Sequence, residues 1–269
     1  MSDSQKVRIL VISMAEAIAR RAAFRQRAEG ATLAWEFVDA HTSLHPQLYY
    51  LPEKATRVNG RPLQAGEIGC YSSHFALWLQ LLDDSVDHYL IFEDDVIIDW
   101  NFVQAFAGQI ENDVRFDYIR FYYKRPVPAV RRAFPFVTAD CSLMELYGRA
   151  YGTQGYFISK DAARRLVEAC RHVERPIDDQ MDRSWVHGVP NLALFPCPIM
   201  EENVPSIIGR KRFERIGPRP EHVTRNLNRD RKAARRAYWR AAAIEWLSIK
   251  RNYLIGRMGL EDGRVRHDQ

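Results

Sequence analysis

The sequence predicts an α/β fold: a mostly parallel sheet flanked by helices, followed by a basic helical extension. Three observations carry that expectation. Apolar runs of strand length alternate with amphipathic helical stretches from residue 7 to about residue 170. The 269 residues are 46% hydrophobic and 27% charged, the balance of an ordinary globular protein. The charge is divided, however: residues 205–269 hold 17 Lys/Arg against 7 Asp/Glu, whereas residues 1–204 hold 22 against 27. We accordingly expect a main domain over 1–220 and a basic helical extension over 221–269.

Val7–Ser13 reads as a buried strand, and a helical stretch from about Ala15 to Ala28 is stopped by Gly30. Ala34–Ala40 alternates like a second strand. Residues 41–66, with three prolines and two glycines, show only loop signals. From Tyr71 the residues His74, Phe75, Trp78, Leu81 and Leu82 fall on one helical face. A strand at Tyr89–Ile98 follows, then a helix capped by Asn101 and a strand at Phe116–Tyr123. Residues 124–135 read as a loop, Gly152–Ser159 as a strand and Lys160–Cys170 as an amphipathic helix. Ala233–Arg257 is a long arginine-rich helix without proline. No internal repeat is present.

No segment has the order of a signal peptide, and no apolar run approaches the ~18 residues that span a bilayer. Cys70, Cys141, Cys170 and Cys197 form no CxxC pair and read as reduced thiols packed as small hydrophobes. The expected location is cytoplasmic.

The strand YLIFEDDVII carries Glu93, Asp94 and Asp95 between two apolar runs. Adjacent carboxylates repel by roughly 4 kcal/mol at ~4 Å in a medium of effective dielectric ~20. A solvated acidic turn relieves that, and so does a bound cation. In a parallel sheet, ligands gather beyond the carboxyl ends of the strands. Oxygen ligands on a short span suit a hard ion such as Mn²⁺ or Mg²⁺. Alternate strand residues share a face, which pairs Glu93 with Asp95 and points Asp94 elsewhere unless the strand end twists.

The stretch GEIGCYSSHFALW at 66–78, followed by LIFEDD at 90–95, resembles glycosyltransferase family 25. GTQGYFISKDAARRL at 152–166 and PID at 176–178 extend the resemblance, which spans roughly 6–208. The first two motifs are specific as a pair; the others are weak alone. The resemblance implies a GT-A-like, Rossmann-like fold and an inverting transfer of a hexose, galactose from UDP-galactose, to a hydroxyl of a cell-surface glycan or lipopolysaccharide acceptor. It further implies that Glu93 and Asp95 hold the metal against the donor diphosphate. Arg20, Arg21, Asp39, Glu67, His74, Asp94, Gly152, Thr153 and Gln154 then bind or brace the donor. Asp178 is the expected general base, with Asp179 and Asp182 as rivals. Each has a plainer reading: Arg20 and Arg21 on a solvated helix face, Asp39 as an exposed strand-end acid, His74 as a core histidine. Gly66 and Gly69 serve tight backbone geometry.

Trp239, Trp246 and Tyr253 recur every seven residues with Arg235, Lys250 and Arg257 beside them. That stripe suits the interface of an anionic membrane; packing of the helix on the body is the plainer alternative, with Ala241, Ile244 and Leu247 as a second apolar face. Two rivals to an enzyme are a non-catalytic nucleotide-sugar binder and a nucleic-acid binder acting through 205–269. The intact acidic motif argues against the first, and no nucleic-acid motif supports the second.

Overall fold

The computed structural model describes residues 7–112, 116–202 and 220–257. The opening unit is β1 (Val7–Ser13), α1 (Ile18–Arg27) and β2 (Trp35–Asp39), as the sequence predicts. Residues 41–66 differ from expectation, because they contain β3 (Tyr49–Tyr50) and α2 (Pro52–Asn59). The punctuation that reads as loop belongs to the ends of α2: Pro52 opens its first turn, and Gly60, at φ 88°, closes it in the left-handed region.

α3 (Ala65–Asp83) starts six residues earlier than its apolar stripe. Gln64 and Glu67 form a reciprocal capping box there, so Glu67 lies inside the first turn and not ahead of the helix. β4 (His88–Glu93) enters the main sheet, the chain turns at Asp94–Asp95, and β5 (Val96–Ile98) leaves it. α4 (Trp100–Asn112) is capped by Asp99, whose Oδ1 accepts from the Phe102 amide at 3.0 Å, and not by Asn101.

β6 (Tyr118–Arg120) precedes two strands absent from the sequence reading, β7 (Ala129–Ala133) and β8 (Ser142–Leu146). β7 is an edge strand whose Arg131 and Arg132 face out, which hides the period-two signal. β9 (Gly155–Ser159), α5 (Lys160–Ala169), β10 (His172–Val173), α6 (Ile177–Met181), α7 (Ser184–His187), β11 (Leu192–Phe195), β12 (Ile199–Glu201) and α8 (Glu221–Arg257) complete the described chain.

The main sheet has the order β2-β1-β4-β9-β6-β11-β8-β7. β1 is parallel to β2 and β4, and β6 to β11. β9 and β8 run against their neighbours, so six of the eight strands share one direction. Two apolar cores cover its faces. Tyr71, Phe75 and Trp78 of α3 lie in one with Leu166 of α5; Phe24 of α1 and Phe106 of α4 lie in the other.

α8 docks through Tyr238, Ala237 and Ala241 onto Val130 and Tyr147. Its tryptophans take no part in that contact: Trp239 is 63% and Trp246 59% exposed. Ala241 is buried, but Ile244 and Leu247, expected on the same docking face, are exposed. The side chains of Tyr253 and Arg257 lie outside the described residues, as do residues 203–208 of the motif span. All four cysteines are free, and no described helix is long and apolar enough to cross a membrane.

Candidate active site

The carboxyl ends of three neighbouring strands meet in one row. Ser13 ends β1 opposite Asp39 of β2, and Glu93 ends β4 beside Ile12. Because β9 runs the other way, the loop that precedes it reaches this edge, and Glu93 N–H donates to Gln154 O at 3.0 Å. Beyond the row lies a cavity of about 360 Å³. Arg20, His74, Glu93, Asp94, Asp95 and Gln154 all line it.

Glu93 is held by α3 and by the segment before β9. Thr153 Oγ1 donates to Glu93 Oε1, and His74 Nε2 lies 3.7 Å from the same oxygen. His74 Nδ1 meets the Tyr156 hydroxyl at 2.8 Å, and that hydroxyl accepts from Trp78 Nε1 at 3.0 Å. With Trp78 as donor, we assign the tyrosine proton to His74 Nδ1, which leaves the histidine proton on Nε2 facing Glu93. Burial alone would raise the Glu93 carboxyl, but His74, Thr153 and Lys124 outweigh it and hold the group below the ordinary glutamate value. His74 is both a core residue and a wall of the site.

Asp94 and Asp95 form the turn after β4, where strand alternation ends, so Asp94 joins the other two acids at the cavity. Ser13 Oγ donates to Asp94 Oδ2 at 2.6 Å, and Arg20 donates to Oδ1. Burial pushes the Asp94 carboxyl up, opposed by Ser13 and Arg20. The same Arg20 nitrogen lies 3.3 Å from Asp95 Oδ2, while Asp95 Oδ1 is buried without a hydrogen-bond partner. Burial, and then Glu93, raise the Asp95 carboxyl to about 7 against the pull of Arg20.

Across the cavity, Glu201 of β12 accepts from Lys124 Nζ at 2.7 Å and from Gln154 Nε2 at 3.3 Å. Four lining carboxylates (Glu93, Asp94, Asp95, Glu201) thus face two lining cations, Arg20 and Lys124. An anionic ligand meets excess negative charge there unless a cation comes with it. The orphaned Asp95 oxygen and the oxygen-rich set fit a hard divalent ion held by Asp95, with Glu93 or Asp94 beside it. Among the described residues, the one group of three donors whose ligand atoms lie within 4.8 Å of one another is Cys70, His74 and Glu93. Burial and then Glu93 hold the Cys70 thiol well above its ordinary pKa, so that cluster suits a hard cation poorly.

Other residues hold the frame of the site. Arg21 donates to Ser13 O at 2.8 Å and to Asp39, pinning the ends of β1 and β2 together. Glu67 is turned away: both its oxygens take Arg61 at 2.7 Å, and Oε2 also caps α3 through the Gln64 amide. Gly69 is needed for close approach, since a Cβ would fall 2.4 Å from His41 O. Ser73 Oγ, one turn on, accepts from the His41 amide at 2.8 Å and ties the same loop.

Gly152, at φ 97°, follows Tyr151 at φ 56°, and this left-handed pair aims Thr153 and Gln154 at the strand row. Tyr151 N–H donates to Asp182 Oδ2 at 2.8 Å, which commits that fully buried acid to the loop. Asp178 takes the Asp179 amide at 2.8 Å and is braced by the Gly152 amide; burial, then Asp179, push its carboxyl up. The structure brings neither Asp178 nor Asp179 into the lining of the cavity. The Asp179 carboxylate is taken by Arg149 Nε at 2.9 Å and Arg175 Nη1 at 3.3 Å.

Sequence reasoning missed Ser13, Lys124 and Glu201. Lys124 stands in an arginine- and proline-rich stretch, and Glu201 is 77 residues away. Only the pairing of β12 with β5, which follows the acids directly, places Glu201 near them.

The pattern of Glycosyltransferase family 25 (LPS biosynthesis protein) matches residues 6–181. Procollagen galactosyltransferase 2 of Mus musculus is 34% identical over 128 residues, which cover 44% of this chain and 19% of that protein. Lipooligosaccharide biosynthesis protein lex-1 of Haemophilus influenzae is 31% identical over 122 residues, covering 42% and 39%. The matched stretches therefore span well under half of these relatives. Among solved structures, A197 from STIV covers 80% of this chain and 99% of its own at 13% identity, with a TM-score of 0.36, too loose a superposition to add to the argument.

Proposed function

Since the chain belongs to glycosyltransferase family 25, we propose that it transfers a hexose, galactose from UDP-galactose, with inversion onto a hydroxyl of a cell-surface glycan or lipopolysaccharide acceptor. The observation that carries this reading is the buried, partnerless oxygen of Asp95 within a cavity where carboxylates outnumber cations. Bound there, Mn²⁺ or Mg²⁺ supplies positive charge against the departing diphosphate. Arg20 and Lys124 are the chain's own cations for the same task. Glu93 stays ionised because His74 and Thr153 hold it.

Asp178 is the general base of this reading, with the acceptor hydroxyl's proton passing to its carboxylate. Its raised pKa supports the role, since a stronger base takes the proton more readily. Asp179 and Asp182 are already engaged with arginines, which favours Asp178 over them.

The test is UDP release across a panel of UDP-sugars with Mn²⁺ present or chelated. Galactose should be preferred, and chelation should stop release. Asp95→Ala should abolish both donor hydrolysis and transfer with the fold intact. Near-normal activity in that variant removes the metal assignment, and UDP-sugar binding without turnover favours a non-catalytic binder.

The exposed Trp239, Trp246, Leu247 and Ile249 on α8 favour a second, compatible reading, in which that helix rests on an anionic membrane carrying the acceptor.

A further inference from the structure

A second cavity, of about 450 Å³, opens between α8 and the loops near residues 125–128 and 147–151. Four arginines (Arg125, Arg149, Arg231, Arg235) line it against one acid, Asp230. That acid is already engaged. Arg149 lies 2.8 Å, Arg175 3.2 Å and Arg183 3.5 Å from its carboxylate. Among the described residues, Arg125, Arg231 and Arg235 have no carboxylate partner. Their charge is uncompensated in a concave wall, the arrangement that concentrates anions. Arg125 is also fixed in place, 5.1 Å from the ring centre of Tyr151.

This wall is opposite in sign to the first cavity, and the two adjoin. Lys124 and Gln154 line the first cavity; Arg125 and Tyr151, on the same two segments, line the second. The segments are bonded to each other, with the amides of Lys124 and Arg125 both donating to Ala150 O at 3.0 Å. A molecule seated in the second cavity can therefore reach across this shared wall toward the row of strand ends. Tyr151 and Trp185 add aromatic rings to the lining, which suit a sugar's C–H groups.

We propose that the second cavity holds an anionic group, phosphate or carboxylate, borne by the glycan acceptor, whose hydroxyl is presented at the first cavity. The inference rests on the transferase reading above and specifies the acceptor's chemical class. Guanidinium groups bind such groups in paired hydrogen bonds, and a neutral glycan leaves the three unpaired arginines without partners.

The test uses the full-length protein and calorimetric titration with galactose 6-phosphate, galactose, inorganic phosphate and phosphatidylglycerol vesicles, each with and without saturating UDP and Mn²⁺. The expected result is binding of the sugar phosphate at least tenfold tighter than galactose or inorganic phosphate, undiminished by UDP. Arg125→Gln combined with Arg231→Gln should weaken it tenfold or more at an unchanged melting temperature; both side chains lie outside the ion network, so the fold should survive. Binding lost to UDP competition, equal binding by the variant, equal binding of inorganic phosphate, or binding of vesicles without any binding of the sugar phosphate would each overturn the proposal. Failure is separable from failure of the transferase reading. A chain that releases UDP from UDP-galactose but ignores the charge on the sugar sinks only the second cavity's role. A chain that binds the sugar phosphate there but never turns over donor sinks only the reaction.

Discussion

Arg120 and Asp182 form a buried ion pair, Nη2 to Oδ1 3.0 Å, beneath the left-handed Tyr151–Gly152 turn. Arg120 Nη1 donates to both carbonyls of that turn, at 3.1 and 2.8 Å, and Asp182 accepts the Tyr151 amide. A non-glycine residue at positive φ costs about 1–3 kcal/mol, and this pair holds it there. Arg120→Met leaves Asp182 buried without its counter-ion, and should cost about 3–5 kcal/mol in urea denaturation. The double variant with Asp182→Asn should lose less than the sum of the single changes.

Tyr156→Phe deletes the hydroxyl between Trp78 and His74. Two buried ring nitrogens then lack partners, for a loss of about 1–3 kcal/mol. His74 also loses the contact that fixes its proton on Nε2. UDP release should therefore fall through kcat more than through KM, as measured over a donor concentration series.

Gly69→Ala forces a methyl group against the His41 carbonyl, where backbone on both sides resists movement. The expected cost is about 1–3 kcal/mol in thermal or urea unfolding, with weaker donor binding because the 41–42 segment lines the cavity. An unchanged melting temperature would show that the loop gives way freely.

His187 supplies a pH signature away from the cavity. Its Nδ1 accepts the Val189 amide at 3.1 Å, so Nε2 carries the proton toward Met181 O at 3.2 Å and the ring is neutral. Burial lowers its pKa to about 4, below the unfolded value of about 6.5. Between those values the unfolded chain binds the extra proton, so stability from this group is present above pH ~6.5 and is lost as pH falls toward ~4. His187→Gln should flatten that part of the stability profile by roughly 1–3 kcal/mol relative to the wild type.

Trp239→Glu with Trp246→Glu tests the membrane reading. The wild type should float with phosphatidylglycerol vesicles and the double variant should not. Equal flotation of the two removes α8 as the contact.

The parts of this fold legible in the sequence are those where one local signal decides. Val7–Ser13 is apolar at every position but Arg8 and Ser13, and α5 has a strong stripe and the Ser159 cap. The 93–95 acids stand out in the sequence because apolar runs flank them on both sides. Partnerships across the chain were not legible. Glu67 looks like a site acid until Arg61 and the helix start are seen to take it. Asp178 and Asp179 are neighbours in sequence, yet one turn of α6 sends them toward different surroundings. Glu201 enters only because β12 pairs with the strand that leaves the acids.

Asp230 belongs to α8, yet its carboxylate sits among Arg149, Arg175 and Arg183 of the preceding chain. Asp179 is the other counter-ion in that group, so two acids serve three guanidiniums. A chain shortened before residue 220 would strand those arginines with a single acid and uncover Val130 and Tyr147. α8, which composition marks as a basic appendage, thus lends one acid to a cluster of arginines in the main body, and removing it to simplify the protein should harm solubility and folding.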